Sequence, residues 1–257
     1  MGKIISVFNQ KGGVGKTTTA VNLAACLAVK QKRVLLVDMD PQGNATSGLG
    51  IDRSAIETSL YDILMNGSED PAGTVYDTDL QTLDVLPSNA DLAGAEVELV
   101  NMANREFFLK KALEPYKSSY DYIFIDCPPT LGLLSLNALA ASDSVLIPIQ
   151  CEYYALEGVN DLVRTINLVR SSMNKTLQIQ GIVLAMYDGR TNLSIQVVEE
   201  VKRFFKDKVY TSIIPRNIRL AEAPSFGLPV VLYDPRSKGA EAYMELAEEF
   251  LETESDN

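Results

Sequence analysis

Seven short apolar runs rich in β-branched residues punctuate the chain, at positions 4–8, 34–37, 83–86, 122–125, 145–149, 179–186 and 209–214. Most are continuous rather than alternating, the pattern of strands covered on both faces. Between them, stretches at 18–30, 96–113, 156–171, 193–205 and 238–252 carry apolar residues at helical spacing. In the first of these, Ala20, Leu23, Ala24 and Leu27 form one face, small enough to approach a sheet closely. The rhythm predicts an α/β fold: a doubly wound, mostly parallel sheet flanked by helices. No repeat or linker interrupts it, so residues 1–257 are expected to form a single domain. The stretch 66–78, rich in Gly, Pro, Asp and Ser, reads as a surface loop, and 252–257 as a frayed acidic tail.

Composition narrows the chemistry. A chain of 257 residues with 46% hydrophobic content buries a substantial core without disulfides. No apolar run approaches the roughly 18 residues that cross a bilayer, and the N-terminal run is too short for a signal peptide, so a soluble, cytoplasmic protein is expected. The absence of histidine removes Ser/His/Asp and Cys/His catalysis, leaving carboxylates, lysines and Mg²⁺. Cys26, Cys127 and Cys151 are too far apart for a metal clip and read as buried packing residues. A net charge of −11 means that any contact with nucleic acid must come from a local patch.

The most informative segment is Gln10-Lys11-Gly12-Gly13-Val14-Gly15-Lys16-Thr17-Thr18-Thr19, placed between the first strand and the first helix. Its glycines let successive backbone N–H groups converge on phosphate oxygens; Lys16 adds charge at the outer phosphates, and the Thr17 hydroxyl suits Mg²⁺. The helix behind it contributes its positive end. The loop departs from the G-x-x-x-x-G-K-[ST] pattern, with Gln10 in the place of the first glycine and a second lysine, Lys11, after it. Lys11 cannot easily point inward together with Lys16, which frees it to reach phosphates held by another subunit, as an arginine finger does.

Ligands of open α/β sheets sit beyond the carboxyl ends of the strands, where Asp38, Asp40 and Asp126 fall. Asp126, closing an apolar strand ahead of Cys127-Pro128-Pro129, fits a Mg²⁺-holding carboxylate. Asp40 could orient or deprotonate an attacking water, whereas Asp38 could serve only as a strand-end hydrogen-bonding group; the pattern alone barely separates the two.

Taken together, K-G-G-V-G-K-T-T-T, D-M-D-P-Q-G-N, I-D-C-P-P and the late I-P-R-N-I-R-L-A-E-A-P-S-F-G-L-P-V resemble the ParA/Soj partitioning ATPases, over residues 3–250 or so. The deviant loop alone also suits MinD-like, nitrogenase-reductase-like and small biosynthetic ATP-dependent proteins. The resemblance implies a P-loop ATPase of the deviant Walker A type using ATP and Mg²⁺, in which two subunits sandwich two ATP molecules and the dimer holds double-stranded DNA without sequence preference until hydrolysis releases it. It implies nucleotide contacts along Lys11, Gly12, Gly13, Val14, Gly15, Lys16, Thr17 and Thr18, with Lys11 acting across the dimer, Gly12 packing at its face and Lys16 on the β- and γ-phosphates. Thr17 is assigned to Mg²⁺, Asp40 to the water, and Pro215 and Asn217 to the neighbourhood of the adenine. Arg190, Arg216, Arg219 and Arg236 are implied as DNA-phosphate contacts, and a ParB-like protein as the activator of hydrolysis on the nucleoid.

With the loop beginning near residue 11, no added N-terminal DNA-reading domain is expected, and the chain resembles the short, Soj-like form. Two other readings compete. A MinD-like membrane switch needs a basic amphipathic C-terminal helix, and here that segment is acidic, so no membrane partner is expected. A biosynthetic ATP-dependent enzyme needs a second-substrate motif, and none is evident. The 202–208 stretch, Lys202-Arg203-Phe204-Phe205-Lys206-Asp207-Lys208, reads mainly as the solvated, basic end of a helix.

Overall fold

The computed structural model describes residues 2–67, 71–152 and 155–255. Its strands are β1 (Lys3–Val7), β2 (Val34–Asp38), β3 (Tyr76–Asp77), β4 (Leu83–Leu86), β5 (Tyr122–Asp126), β6 (Ser144–Gln150) and β7 (Gln178–Ala185). The helices of the first half are α1 (Lys16–Val29), α2 (Asn44–Gly48), α3 (Leu60–Asn66), α4 (Leu92–Leu99) and α5 (Phe108–Leu113). The second half adds α6 (Leu133–Ala141), α7 (Ala155–Ser172), α8 (Asn192–Phe205), α9 (Ile218–Glu222), α10 (Val230–Tyr233) and α11 (Lys238–Ser255).

The strands form one sheet in the order β3-β4-β2-β5-β1-β6-β7, parallel except for the antiparallel β3 edge. Period-two alternation gives the sheet two cores. Ile4, Leu35, Val37, Ile123 and Ile125 face one side, where α3 to α8 lay down Leu60, Leu92, Leu109, Leu134, Leu162 and Val197. Ile5, Val7, Leu36, Phe124 and Val183 face the other, against Leu23 and Leu27 of α1 and Leu246 and Phe250 of α11. Burial of each such large apolar side chain contributes about 1.5–3 kcal/mol. The apolar face expected on the first helix is fully buried at Ala20, Leu23, Ala24 and Leu27. All three cysteines are free and buried, and burial pushes the Cys26 and Cys151 thiols up to about 12.

Four segments differ from the sequence expectation. Residues 209–214 are not a strand: they meet β7 through an isolated parallel bridge, Ile182 with Val209, and a second bridge, Tyr187 with Pro215, lies just beyond both segments. The Thr211 and Ser212 amides turn instead to the Glu249 carboxylate of α11, a side-chain acceptor that captures donors a ladder would have used. The helix expected over 96–113 is interrupted between Leu99 and Phe108, where Asn104 is left-handed with φ 56° ahead of a 3₁₀ turn at Arg105–Phe107. Because Leu99, Leu109 and Leu113 on both sides of the break enter the same core, the apolar pattern runs through it. The 66–78 stretch contains a 3₁₀ turn, Ala72–Thr74, and the two-residue edge strand β3; its positions 68–70 lie outside the described residues. At the C-terminus α11 stays helical through Ser255, because the Glu254 carboxylate accepts from Lys3 Nζ and Gln180 Nε2, each at 2.7 Å; residues 256–257 lie outside the described chain.

Strand register positions the site. Asp126 of β5 lies opposite Val7 of β1 on one side and Asp38 of β2 on the other, all at the carboxyl end of the sheet. Helices α1 and α6 leave this end on opposite faces, since their side chains enter different cores. A crevice therefore opens above β1 and β5, the arrangement in which doubly wound sheets hold ligands.

Candidate functional site

The loop between β1 and α1 is built from glycine conformations. Gly13 and Gly15 take φ 72° and 90°, and Gly15 caps α1 from the left-handed region that a side chain would strain. The first turn of α1 carries no acidic residue and no side-chain cap, which leaves its positive end uncompensated. Upstream, the Lys11 amide donates to Asn9 Oδ1 at 3.0 Å and Gln10 Nε2 to Thr165 Oγ1 at 2.6 Å, tying the loop entrance to its own strand end and to α7. Lys16 is buried, its ammonium donating to the Lys11 carbonyl at 3.0 Å. Desolvation lowers its pKa, against the opposing pull of Asp126, Cys127 and Asp40. Lys11 is half-buried, and its ammonium makes no hydrogen bond or ion pair among the described residues. Gly12 and Gly13 are exposed, and a Cβ at Gly12 would stand 3.9 Å from Pro129.

Three carboxylates gather beneath the loop with distinct environments. Asp38 is fully buried and saturated: Oδ2 accepts from the Thr46 amide at 2.8 Å and hydroxyl at 2.7 Å, and Oδ1 from the Asp40 amide at 3.2 Å. Burial pushes its pKa up to about 6, although those donors favour the charged form. Thr46 passes the link on, its hydroxyl accepting from the Ser88 amide at 3.0 Å beyond β4. Asp40 reaches the surface slightly, at 9% exposure, and accepts from the Gln42 amide at 2.9 Å through Oδ1. Its other oxygen is uncommitted among the described residues.

Asp126 is fully buried, and neither of its oxygens meets a hydrogen-bonding partner. The Thr17 hydroxyl is near enough to favour its charged form without completing that bond. Desolvation first, then the charge of Asp38, raises its pKa well above the carboxylate range. An orphaned buried carboxylate is costly in isolation and calls for a cation. With the Thr17 hydroxyl it offers two hard oxygen donors, a set that suits Mg²⁺, which binds through one or two protein oxygens together with substrate phosphates.

Beside the loop, a cavity of about 190 Å³ is lined by Gly15, Thr18, Met186, Pro215, Asn217 and Tyr243, among others. Pro215 and Asn217, expected together near a base, both stand on it. Asn217 also caps α9, its Oδ1 accepting from the Arg219 amide at 2.9 Å.

A family model described as an AAA domain matches residues 2–179. The sporulation initiation inhibitor protein Soj of Bacillus subtilis is 61% identical over 97% of this chain and 98% of its own length. The chromosome partitioning protein ParA of Myxococcus xanthus is 56% identical, covering 99% and 90%. The chain belongs to the ParA/Soj family of partitioning ATPases. Among solved structures, cobyrinic acid a,c-diamide synthase from Mycobacterium smegmatis with bound ADP and magnesium superposes with a TM-score of 0.86 at 39% identity, covering 99% and 96%. The Pyrococcus furiosus cell division ATPase MinD superposes with 0.80 at 29% identity, covering 98% and 99%.

Of the four candidate arginines of this ParA/Soj chain, Arg216 lines the cavity. Arg190 makes a bidentate pair with Asp188, Nε to Oδ1 at 2.8 Å and Nη2 to Oδ2 at 2.6 Å, and Arg216 pairs with Glu152 at 3.1 Å. The Arg190 pair and Arg216 are neighbours, since Arg216 also holds the Asp188 pKa down. Arg219 pairs with Glu222 at 2.8 Å and Asp234 at 3.1 Å. Arg236 is exposed and forms no hydrogen bond or ion pair among the described residues. The 202–208 stretch ends α8, where Arg203 pairs with Glu200 one turn back.

Sequence reasoning did not single out Thr46, Met186 or Tyr243. Thr46 grips Asp38 from eight positions away, and Tyr243 reads as one more apolar position on α11. Met186 sits at φ 54°, strained for a side chain of its size, and no local signal announces that. No helix among the described residues is long and apolar enough to cross a membrane.

Proposed function

We propose that this chain acts as a single ATPase domain and an ATP-dependent dimerising switch in chromosome or plasmid partition. Its ATP-bound dimer binds double-stranded DNA without sequence preference, on the nucleoid in the cytoplasm, and a ParB-like partner stimulates the hydrolysis that releases it. The observation that carries the reading is the division between two lysines five residues apart: Lys16 is buried and directed into its own loop, while the Lys11 ammonium has no partner among the described residues.

In this reading ATP lies along residues 11–18. The amides and the α1 terminus hold its phosphates, Lys16 neutralises the β- and γ-oxygens, and the base enters the cavity at Pro215 and Asn217. Thr17 and Asp126 would hold Mg²⁺, which would supply positive charge against the outer phosphates. Asp40, whose second oxygen is uncommitted, orients the attacking water, while Asp38 is spent on Thr46 and shapes the loop. Lys11 crosses to the partner's triphosphate, and the exposed Gly12 permits the close approach this needs. Arg190, Arg216, Arg219 and Arg236 then contact DNA phosphates from a doubled surface, which supplies affinity without base reading.

Size-exclusion chromatography of Asp40→Ala with ATP or ADP, with and without duplex DNA, tests the reading. Dimer and DNA complex with ATP alone are the expected outcome. A variant that stays monomeric with ATP and indifferent to DNA overturns it. A phosphorylated metabolite in place of free phosphate in the wild-type products would favour a biosynthetic role, the activity that the name of one structural neighbour carries.

A further inference from the structure

Helix α11 touches the walls of the base cavity at two levels and, at a third, the segment that leads into them. Near its start Gly239 has no room for a side chain: a Cβ there would lie 2.8 Å from Leu220 and 3.3 Å from Asn217 Oδ1. One turn on, the Tyr243 hydroxyl sits 3.1 Å from Thr19 Oγ1 in the first turns of α1, and the same tyrosine lines the cavity. Further along, Glu249 accepts from the Thr211 amide at 2.6 Å, the Ser212 amide at 2.9 Å and the Ser212 hydroxyl at 2.7 Å.

The third contact stands out because of the segment it holds. Residues 209–214 lead directly into Pro215 and Asn217, yet only their ends bond to the sheet: the Tyr210 amide to the Ile182 carbonyl at 3.0 Å and the Ile214 amide to the Leu184 carbonyl at 2.8 Å. Of the three amides between those ends, the Glu249 carboxylate takes two, those of Thr211 and Ser212. A carboxylate accepting backbone N–H bonds makes charge-assisted hydrogen bonds, roughly twice as strong as neutral ones. Burial alone would raise the Glu249 pKa, but these donors together hold it below the ordinary Glu value.

We propose that Glu249 is a positioning residue of the base site: by anchoring Thr211 and Ser212 to α11 it fixes where Pro215 and Asn217 stand, and so sets how tightly the base, as distinct from the phosphates, is held. The inference rests on reading the Pro215 and Asn217 cavity as the base site. The phosphate loop is joined to β1 and α1, so loss of the anchor leaves it in place.

Calorimetric titration of a non-hydrolysable ATP analogue and of tripolyphosphate, both with Mg²⁺, separates base from phosphate binding. Glu249→Ala is expected to weaken the analogue about tenfold and tripolyphosphate less than twofold. Glu249→Gln, which keeps one acceptor but sets an NH₂ against a donor, falls in between; Glu252→Ala, exposed one turn on, changes neither. Should Glu249→Ala fail to fold, Ser212→Ala, which removes one donor of three, gives a shift of about threefold in the same direction. Equal weakening of both ligands, or of neither, overturns the role of Glu249. A wild-type protein that binds the analogue no more tightly than tripolyphosphate overturns the base site itself, whatever the variants do.

Discussion

The buried end of the sheet and the arginine surface beside it solve opposite electrostatic problems. At the sheet end, Asp40 and Asp126 bear on one buried lysine with Asp38 beside Asp126, and neither oxygen of Asp126 completes a hydrogen bond among the described residues. On the surface, Arg190, Arg216 and Arg219 are each paired with a carboxylate while remaining largely accessible, with side-chain exposures of 88%, 62% and 46%. The first region carries negative charge it cannot satisfy alone; the second carries positive charge that is satisfied but loosely, because exposed pairs contribute about 0–1 kcal/mol. A cation and phosphates complete the former, and a polyanion has only to displace weak partners in the latter. On the proposed reading, a protein of net charge −11 holds two anions, a nucleotide and DNA, through local arrangements.

The largest effect belongs to the buried lysine. Lys16→Ala should weaken ATP binding about 100-fold, or about 2.7 kcal/mol, and abolish ATP-dependent dimerisation, as followed by fluorescent-nucleotide titration and light scattering. Retention of binding within a fewfold would break the contrast at its strongest point.

Asp126 gives the next effect, with a sign that depends on pH. Its carboxyl titrates higher in the folded protein than in the unfolded chain, so the folded state gains from the proton at low pH and loses that gain as pH rises from about 4 through the raised value. Asp126→Asn removes the loss. Without nucleotide it should be more stable than wild type at pH 8, by about 1–3 kcal/mol in urea titrations, with the gap narrowing at pH 5. Added Mg·ATP should stabilise wild type more than the variant, and EDTA should erase that difference. A variant less stable than wild type at pH 8 without nucleotide would show that Asp126 is not an uncompensated charge.

The two regions also differ in how much of them the sequence disclosed. At the sheet end the distances are short or set by register: the glycines, Lys16 and Thr17 are consecutive with α1, while Asp38 and Asp126 meet because both close strands that pair side by side. Such placement follows from the order of apolar runs and from ligand binding at strand ends. Asp38 and Asp40 could not be told apart in that way, since the difference lies in Thr46, folded back by α2. On the surface, an arginine in a turn looks the same whether paired or free. Only the fold shows that Asp188, Glu152 and Asp234 occupy three of them while Arg236 has no partner among the described residues. The strand expected over 209–214 failed for a related reason, because its competitor, Glu249, lies far along the chain.

Arg219 tests the surface directly. Arg219→Ala should weaken binding to nonspecific duplex about tenfold near 0.1 M salt and lower the salt-dependence slope by about one, with nucleotide binding unchanged. An unchanged slope would place the DNA surface elsewhere.

The smallest expected effect sharpens the comparison most, because it asks whether the carboxylates opposite the arginines act as latches. Asp188 holds Arg190 through both guanidinium edges and so occupies the donors a phosphate would take. Asp188→Asn keeps the turn, since its remaining side-chain oxygen can still accept from the Arg190 amide, but removes the charge that competes with phosphate and repels it. DNA binding by the ATP-bound dimer should tighten about threefold, and the gain should shrink as salt is raised, because both competitor and phosphate are screened at exposed sites. Asp188→Asn in an Arg190→Ala background isolates the latch from plain loss of negative charge. If the gain survives there undiminished, Asp188 acts through the overall field; if it disappears, the bidentate pair is what DNA displaces.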